Sequence, residues 1–260
     1  MNRPSKPQRA PSGRGPRPGL MLWGVHPVLA ALANPERHCH RLLATAETVK
    51  AHAGELDRLI RARKLPSLET VTRAELDQWL PDGAVHQGIA VSADPLPAMD
   101  IADLVDAAEG RDNAVIMVLD QVTDPHNVGA VLRSAAAFGA IGVVMQDRNA
   151  PDETGTLAKS ASGALERMPL VKTVNLARSL EEMKKAGFWI AGMAGEAEQT
   201  LAQAKLSGKI ALVMGSEGEG LRRLTREHCD YLVKLPQTDL VESLNVSNAA
   251  AVALYELNRR

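Results

Sequence analysis

Aromatic side chains make up only 3% of this 260-residue chain. A nucleic-acid surface built from rows of stacked aromatic platforms is therefore not expected. There are two cysteines, Cys39 and Cys229, too few for a disulfide framework. No CxxC pair or extended Cys/His cluster is present, and His38-Cys39-His40 stands alone, so no metal is expected. Such sparse cysteine fits a reducing cytosol. No apolar run approaches the roughly 18 residues that span a bilayer, which argues against a membrane partner. The first residues are basic but lack the apolar stretch of a signal peptide, so the expected location is cytoplasmic. Charge of one sign is not in excess either: the formal net charge is −1.

The distribution of charge says more than its sum. Residues 1–99 hold 13 Lys and Arg against 9 Asp and Glu, whereas residues 100–260 hold 17 against 22. A basic first part beside an acidic second part suggests that a polyanion is gripped from the N-terminal side. Residues 1–19 are rich in Pro, Gly and Arg, with five basic residues and no acidic one. Such a segment has too little to bury to offset its ordering entropy, and is read as a disordered basic tail.

Folded structure is expected from Leu20. Strand-like runs at Leu20–Gly24, Arg41–Ala46, Leu68–Thr72 and Gly88–Ala93 alternate with helical spacing after Pro27, around Leu56–Ile60 and around Ala74–Leu80. This gives a small α/β unit over 20–94. Asp94-Pro95-Leu96-Pro97 breaks the pattern, and 95–112 is read as a linker. The second unit, 113–260, has continuous apolar runs at Ala114–Leu119, Ile141–Met145, Leu170–Val174, Phe188–Met193, Ile210–Met214 and Tyr231–Leu235. Helical stretches at His126–Ala137, Leu176–Lys185, Leu221–Glu227 and Ser243–Leu257 separate them. Strands buried on both faces and alternating with helices predict an α/β fold with a mostly parallel sheet flanked by helices. Ligands of such sheets bind beyond the carboxyl ends of the strands.

Three polar segments lie at such positions. Asp120–Gly129 follows the first run, and Asn127 is suited to cap a helix that carries Arg133 among the small residues Gly129, Ala130, Ser134 and Ala137. Gly215-Ser216-Glu217-Gly218-Glu219-Gly220 follows Ile210–Met214. Its glycines allow close approach of a ligand, but the order is not GxGxxG, there is no P-loop lysine, and two glutamates would repel a pyrophosphate. A nicotinamide-dependent dehydrogenase, the generic alternative for an alternating α/β chain, is disfavoured on that ground. The third segment runs from Leu235-Pro236-Gln237 to Ser243-Leu244-Asn245-Val246-Ser247-Asn248. It holds more hydrogen-bonding side chains than capping one helix requires.

Asn127-Val128-Gly129 with Arg133, Gly215-Ser216-Glu217-Gly218, and Ser243-Leu244-Asn245-Val246-Ser247 together resemble the three signature motifs of the SpoU (TrmH) family of SPOUT methyltransferases. Trp23-Gly24-Val25-His26-Pro27 and His86-Gln87-Gly88 resemble the small ribosomal-protein-like substrate-binding domain of one branch, whose members methylate a guanosine in the peptidyl-transferase P loop of 23S rRNA. The resemblance implies a trefoil-knot catalytic domain, a homodimer and S-adenosylmethionine as cofactor, held by main-chain groups of Met193–Gly195, Gly215–Gly218, Leu235–Gln237 and Leu244. It implies transfer of the sulfonium methyl to a ribose 2′-oxygen of ribosomal RNA. Arg133 is then expected to hold the nucleotide's phosphate and stabilise the developing alkoxide, since a guanidinium is a poor base; direct proton abstraction, relayed through the phosphate, is the alternative. Glu217 is expected to orient Arg133, and Asn127, Ser243 and Asn245 to position ribose and loops. Arg58, Arg61, Arg63 and Lys64 form the candidate RNA-binding cluster. The same chemistry on a tRNA guanosine, and a non-catalytic RNA-binding assembly factor, are the competing expectations.

Overall fold

The structure, a computed structural model, describes residues 19–63, 65–238, 240–241 and 243–259. The basic tail, apart from Gly19, and Lys64 lie outside the described residues. The N-terminal unit is a four-stranded sheet of β1 (Leu20–Trp23), β2 (Cys39–Ala44), β3 (Leu68–Thr70) and β4 (Ile89–Ala93), in the order β1-β4-β2-β3. β4 runs antiparallel to both neighbours, and β2 and β3 are parallel. All five residues of β4 are buried, in keeping with its central place. Helices α1 (Val25–Ala33), α2 (Ala46–Ala51), α3 (Ala53–Arg63) and α4 (Arg73–Asp77) fill the connections. Local chemistry sets their starts: the Thr45 side chain caps α2, and Thr72 with Glu75 forms a reciprocal capping box on α4.

The C-terminal unit is a seven-stranded, all-parallel sheet. Its strands are β5 (Ala114–Leu119), β6 (Gly142–Gln146), β7 (Leu170–Thr173), β8 (Trp189–Met193), β9 (Gln199–Thr200), β10 (Lys209–Met214) and β11 (Tyr231–Lys234). The order is β7-β6-β5-β10-β8-β11-β9. The late strand β10 is thus inserted between β5 and β8, and β11 between β8 and β9. Around the sheet lie α5 (Ile101–Ala107), α6 (Pro125–Ala137), α7 (Gly155–Ala161), α8 (Leu176–Lys185), α9 (Leu201–Ala204), α10 (Arg223–Glu227) and α11 (Val246–Asn258). No described helix is long and apolar enough to cross a membrane.

Three local departures from the sequence reading have physical causes. Residues 95–112 are not all linker. Asp100 and Asp103 form a capping box, and α5 then buries Ile101 and Leu104, with Ala108 beyond it, in one cluster with Ile116, Val144 and Leu180. The proline-rich break is real but ends before Asp100. The cap of α6 is Asp124, not Asn127: its carboxylate accepts from His126 N at 2.9 Å, and Pro125 occupies the first turn, where no N–H is needed. α11 begins at Val246 rather than Ser243, because Asn245 supplies the cap. The sequence pattern does not indicate α7.

α7 joins the two units. A Cβ at Gly155 would fall 1.9 Å from the Trp23 ring, so only glycine lets α7 seat on β1. The main core is continuous across the seam, from Leu22, Val28 and Leu32 to Leu132, Leu157 and Leu165. At its edge lies a fully buried arginine, Arg37. Its guanidinium donates to Glu166 at 2.7 Å and to the Asp94 carbonyl at 2.7 Å, and pairs with Glu153. Asn34 donates to the same Glu166 at 2.9 Å.

Candidate active site

The parallel sheet brings its strand ends together on one edge. β5, β10, β8 and β11 are consecutive neighbours, so the segments leaving their carboxyl ends lie side by side. These segments begin at Asp120, Gly215, Ala194 and Leu235. The chain runs outward from β5 through β6 to β7, and the later strands lie on β5's other side. This reversal is the switch point where such sheets form ligand crevices.

At that edge the three polar segments meet on one carboxylate oxygen. Glu217 Oε1 accepts from Asn245 Nδ2 at 2.7 Å, from Asn127 Nδ2 at 3.2 Å and from Val246 N at 3.2 Å. Asn245 Nδ2 also donates to Asn127 Oδ1 at 3.0 Å. Asn245 Oδ1 faces the other way and accepts from Ser247 N at 3.0 Å and Ser247 Oγ at 2.6 Å. The geometry follows from helix packing. α6 and α11 lie side by side with their amino ends together, as Phe138 and Tyr255 also meet edge to face near the far ends. An anionic side chain at the start of α11 satisfies a first-turn N–H and sits at the favourable end of the helix dipole.

The loop bearing Glu217 is fixed from both sides. Ser216 and Gly220 exchange backbone hydrogen bonds of 3.1 and 3.0 Å, closing Gly215–Gly220 into a tight turn. A Cβ at Gly215 would fall 2.2 Å from the Gly220 carbonyl carbon, and Gly218 has φ 87°, so glycine is required at both. Beyond the turn, Arg222 Nε donates to Asp120 Oδ1 at 2.6 Å and Arg222 N donates to Asp120 Oδ2 at 3.0 Å. Asp120 is fully buried and ties the end of β5 to the end of this loop. Its position directly after a buried strand was the available signal; without a partner in view, the sequence assigned it no role.

The other residues singled out from sequence fall into distinct places. Met193 ends β8 and Gly195 follows it, Leu235 is buried just after β11, and Leu244 is part-exposed ahead of α11. Gly195 and Gly218 face open space, with nothing within 4 Å of where a Cβ would be. Ser243 is exposed and makes no hydrogen bond to another described residue. Arg133 is exposed on α6 and forms no ion pair among the described residues, so the expected Glu217–Arg133 contact is absent within the chain. The helix explains this. Arg133 lies six positions beyond Asn127 on α6, about 9 Å along the axis and roughly 120° around it.

The basic cluster also divides. Arg58 and Arg61 project outward from α3, loosely paired with Glu55 at 3.9 Å and Asp57 at 3.3 Å. Arg63 turns inward: its guanidinium donates to the carbonyls of Leu32 at 2.7 Å and Arg37 at 2.9 Å, closing the carboxyl end of α1. Among the described residues no group of three or more His, Cys, Asp and Glu could hold a metal ion.

Comparison with known proteins agrees with this geometry. Residues 114–255 match the SpoU rRNA Methylase family, and residues 21–99 match RNA 2′-O ribose methyltransferase substrate binding. The chain is 42% identical over 242 residues to the 23S rRNA (guanosine-2′-O-)-methyltransferase RlmB of Xylella fastidiosa strain Temecula1, covering 92% of this chain and 96% of that protein. It is 41% identical over 246 residues to RlmB of Escherichia coli K12, covering 92% and 98%. Among solved structures, the SpoU methyltransferase AviRb of Streptomyces viridochromogenes, in complex with AdoMet, aligns over 92% of this chain and 89% of its own with a TM-score of 0.75 at 24% identity, which is a likeness of fold. With two matched domains in this order and relatives this similar over almost their whole length, the chain belongs to the SpoU rRNA methylase family.

Proposed function

We propose that this chain transfers a methyl group from S-adenosylmethionine to the ribose 2′-oxygen of a guanosine in 23S rRNA. The observation that carries this proposal is the Glu217 node, where the three signature segments converge through Asn127, Asn245 and the Val246 N–H. The RlmB relatives support the substrate, since 23S rRNA guanosine methylation is the activity in their names.

The edge of the sheet fits the cofactor. Gly195 and Gly218 leave open space over the main chain, and neighbouring strands end at Met193 and Lys234 just before Leu235. Main-chain walls of this kind suit a nucleoside without a polyphosphate. When bound, S-adenosylmethionine supplies an already activated methyl group on a sulfonium. The chain's own task is to align the 2′-hydroxyl and manage its proton, and orientation alone can supply roughly 7–11 kcal/mol in ideal cases. Glu217 Oε1 is occupied by three donors, whereas Oε2 accepts no hydrogen bond from a described residue. We assign Oε2 and the Asn127 amide to the ribose. The Arg133 guanidinium can clamp a phosphate and stabilise charge developing on the 2′-oxygen. Arg58 and Arg61 serve as outlying phosphate contacts on the N-terminal unit.

The unit of function is a knotted homodimer acting in the cytoplasm. The outward faces of α6 and α11 support self-association: Val252 is 48% and Tyr255 53% exposed, beside the exposed Arg133, Ala136 and Ala137. Pairing two copies through this face would bury the apolar side chains and bring each Arg133 toward the other copy.

The test is incorporation of labelled methyl from S-adenosylmethionine into 23S rRNA and into tRNA, with mapping of the 2′-O-methyl position. Methylation of one 23S guanosine is the expected result. Methylation of tRNA alone, or no transfer to either RNA, overturns the assignment.

A further inference from the structure

The two N-terminal motifs, Trp23–Pro27 and His86–Gly88, are brought together by the fold and aim at a lysine of the other unit. His86 is fully buried; its Nδ1 accepts from Gly88 N at 3.0 Å and its Nε2 contacts Asp77 at 3.0 Å. Gln87 has φ 55°, a left-handed conformation that non-glycine residues seldom adopt. The Thr48 hydroxyl secures it by donating to the Gln87 carbonyl at 3.1 Å. The result is a side chain pointed across the seam. Gln87 Oε1 accepts from Val25 N at 3.2 Å and from Lys159 Nζ at 2.5 Å.

Lys159 belongs to α7 and is incompletely satisfied. An ammonium has three donors, and here a neutral amide takes one. Lys159 forms no ion pair with a carboxylate among the described residues. Its partial burial holds its pKa below the ordinary lysine value, a penalty that an anion would relieve. The next residue, Ser160, contacts His126 Nδ1 at 3.2 Å, and His126 immediately precedes Asn127 of the Glu217 node. Lys159 therefore stands between the N-terminal unit and the node. Attachment of the two units does not require it, because the Arg37–Glu166 pair and the Trp23–Gly155 contact already join them.

We propose that Lys159, held by Gln87, is a phosphate contact for the RNA strand as it passes from the N-terminal unit to the Glu217 node. This rests on the function proposed above. The ligand group is a phosphodiester of RNA; the other anion within reason is the carboxylate of the cofactor's methionine moiety, and the test separates them.

The experiment compares the full-length wild-type protein with Lys159→Met, Lys159→Arg and Gln87→Met. Three properties are measured: binding of a 23S rRNA fragment across a series of salt concentrations, calorimetric binding of S-adenosylmethionine, and Tm. A single phosphate contact contributes about 0.7–1 to the slope of log K against log salt. Lys159→Met is expected to weaken RNA binding and flatten the slope by that amount, with KM for RNA raised and kcat near wild type. Lys159→Arg is expected to restore the slope. Gln87→Met keeps the cation and is expected to retain the slope while weakening binding less. If Lys159→Met does not fold, Lys159→Gln carries the same expectation. An unchanged slope with equal losses of Tm in Lys159→Met and Gln87→Met would show a mere staple and overturn the proposal. Loss of S-adenosylmethionine binding in Lys159→Met, with RNA binding intact, overturns it in favour of the cofactor carboxylate. A wild-type protein that binds the fragment but methylates no RNA refutes the function above, and the slope comparison still decides the role of Lys159.

Discussion

Asn245 donates its side-chain amide to Glu217 at 2.7 Å while its carbonyl oxygen caps α11 through Ser247 N at 3.0 Å. One residue thus ties the start of a helix to the carboxylate of a loop from a different strand. Replacement by Ala removes both contacts. The lost cap should cost about 1 kcal/mol, and the lost donor should lower kcat by about 10²-fold, the scale of one preorganised contact. Asn245→Ser can keep the cap without the donation. It should recover most of the Tm and little of the rate; a variant that recovers both equally would show that the amide has no catalytic use.

Arg133 offers the opposite behaviour. It is exposed and forms no ion pair or side-chain hydrogen bond among the described residues, so no such contact within the chain is lost with it. Arg133→Ala should abolish methyl transfer while changing stability by less than about 0.5 kcal/mol. S-adenosylmethionine affinity should stay near wild type. Arg133→Lys should remain poor, since an ammonium cannot make a bidentate phosphate contact. Steady-state rates with calorimetry on the same preparations check this, and undiminished turnover in Arg133→Ala would refute its role.

Asp120 controls the loop at one remove. Its carboxylate is buried and holds Arg222 through both the side chain and the backbone N–H. Asp120→Ala leaves the part-exposed guanidinium with access to water but strips a partner from the Arg222 N–H. A loss of about 1–3 kcal/mol in stability is expected. Because the Gly215–Gly220 turn loses its far anchor, S-adenosylmethionine affinity should fall by more than Tm alone accounts for. Equal affinity in folded Asp120→Ala would remove Asp120 from the positioning of the turn.

Arg37 tests how the two units are held. Its guanidinium is fully buried against Glu166, whose side chain is also buried. Arg37→Met fills the same volume but leaves a carboxylate without its charge partner, an effect of roughly 3–5 kcal/mol. The double variant Arg37→Met with Glu166→Gln should regain part of that loss. Denaturant unfolding of the single and double variants measures the coupling, and additive losses would sever the pair.

Much of the site was written in the order of residues. The continuous apolar run Ala114–Leu119 forms the strand β5 with those ends, and Leu176–Lys185 forms α8, because uninterrupted periodicity leaves few alternatives. Asn127, Glu217 and Asn245 each lie in one of the three polar segments beyond strands that carry the family resemblance, and they do meet. Short elements were less legible. α7, with Gly155 at its start and Gly163 shortly after it, looks like loop sequence; Thr154 caps it, and the Trp23 ring packs against Gly155.

The sequence alone determined the two α/β units, the parallel sheet and the identity of the polar segments, since these follow from local burial patterns and caps. The tertiary structure decided who touches whom. Insertion of β10 between β5 and β8 brings Glu217 onto two amides and leaves Arg133 outside. Packing of the N-terminal unit turns Arg63 into a helix cap, and its seat against α7 aims Gln87 at Lys159. Contacts between residues 28 to 118 positions apart depend on strand order and helix phase, and neither quantity is encoded in any short stretch of chain.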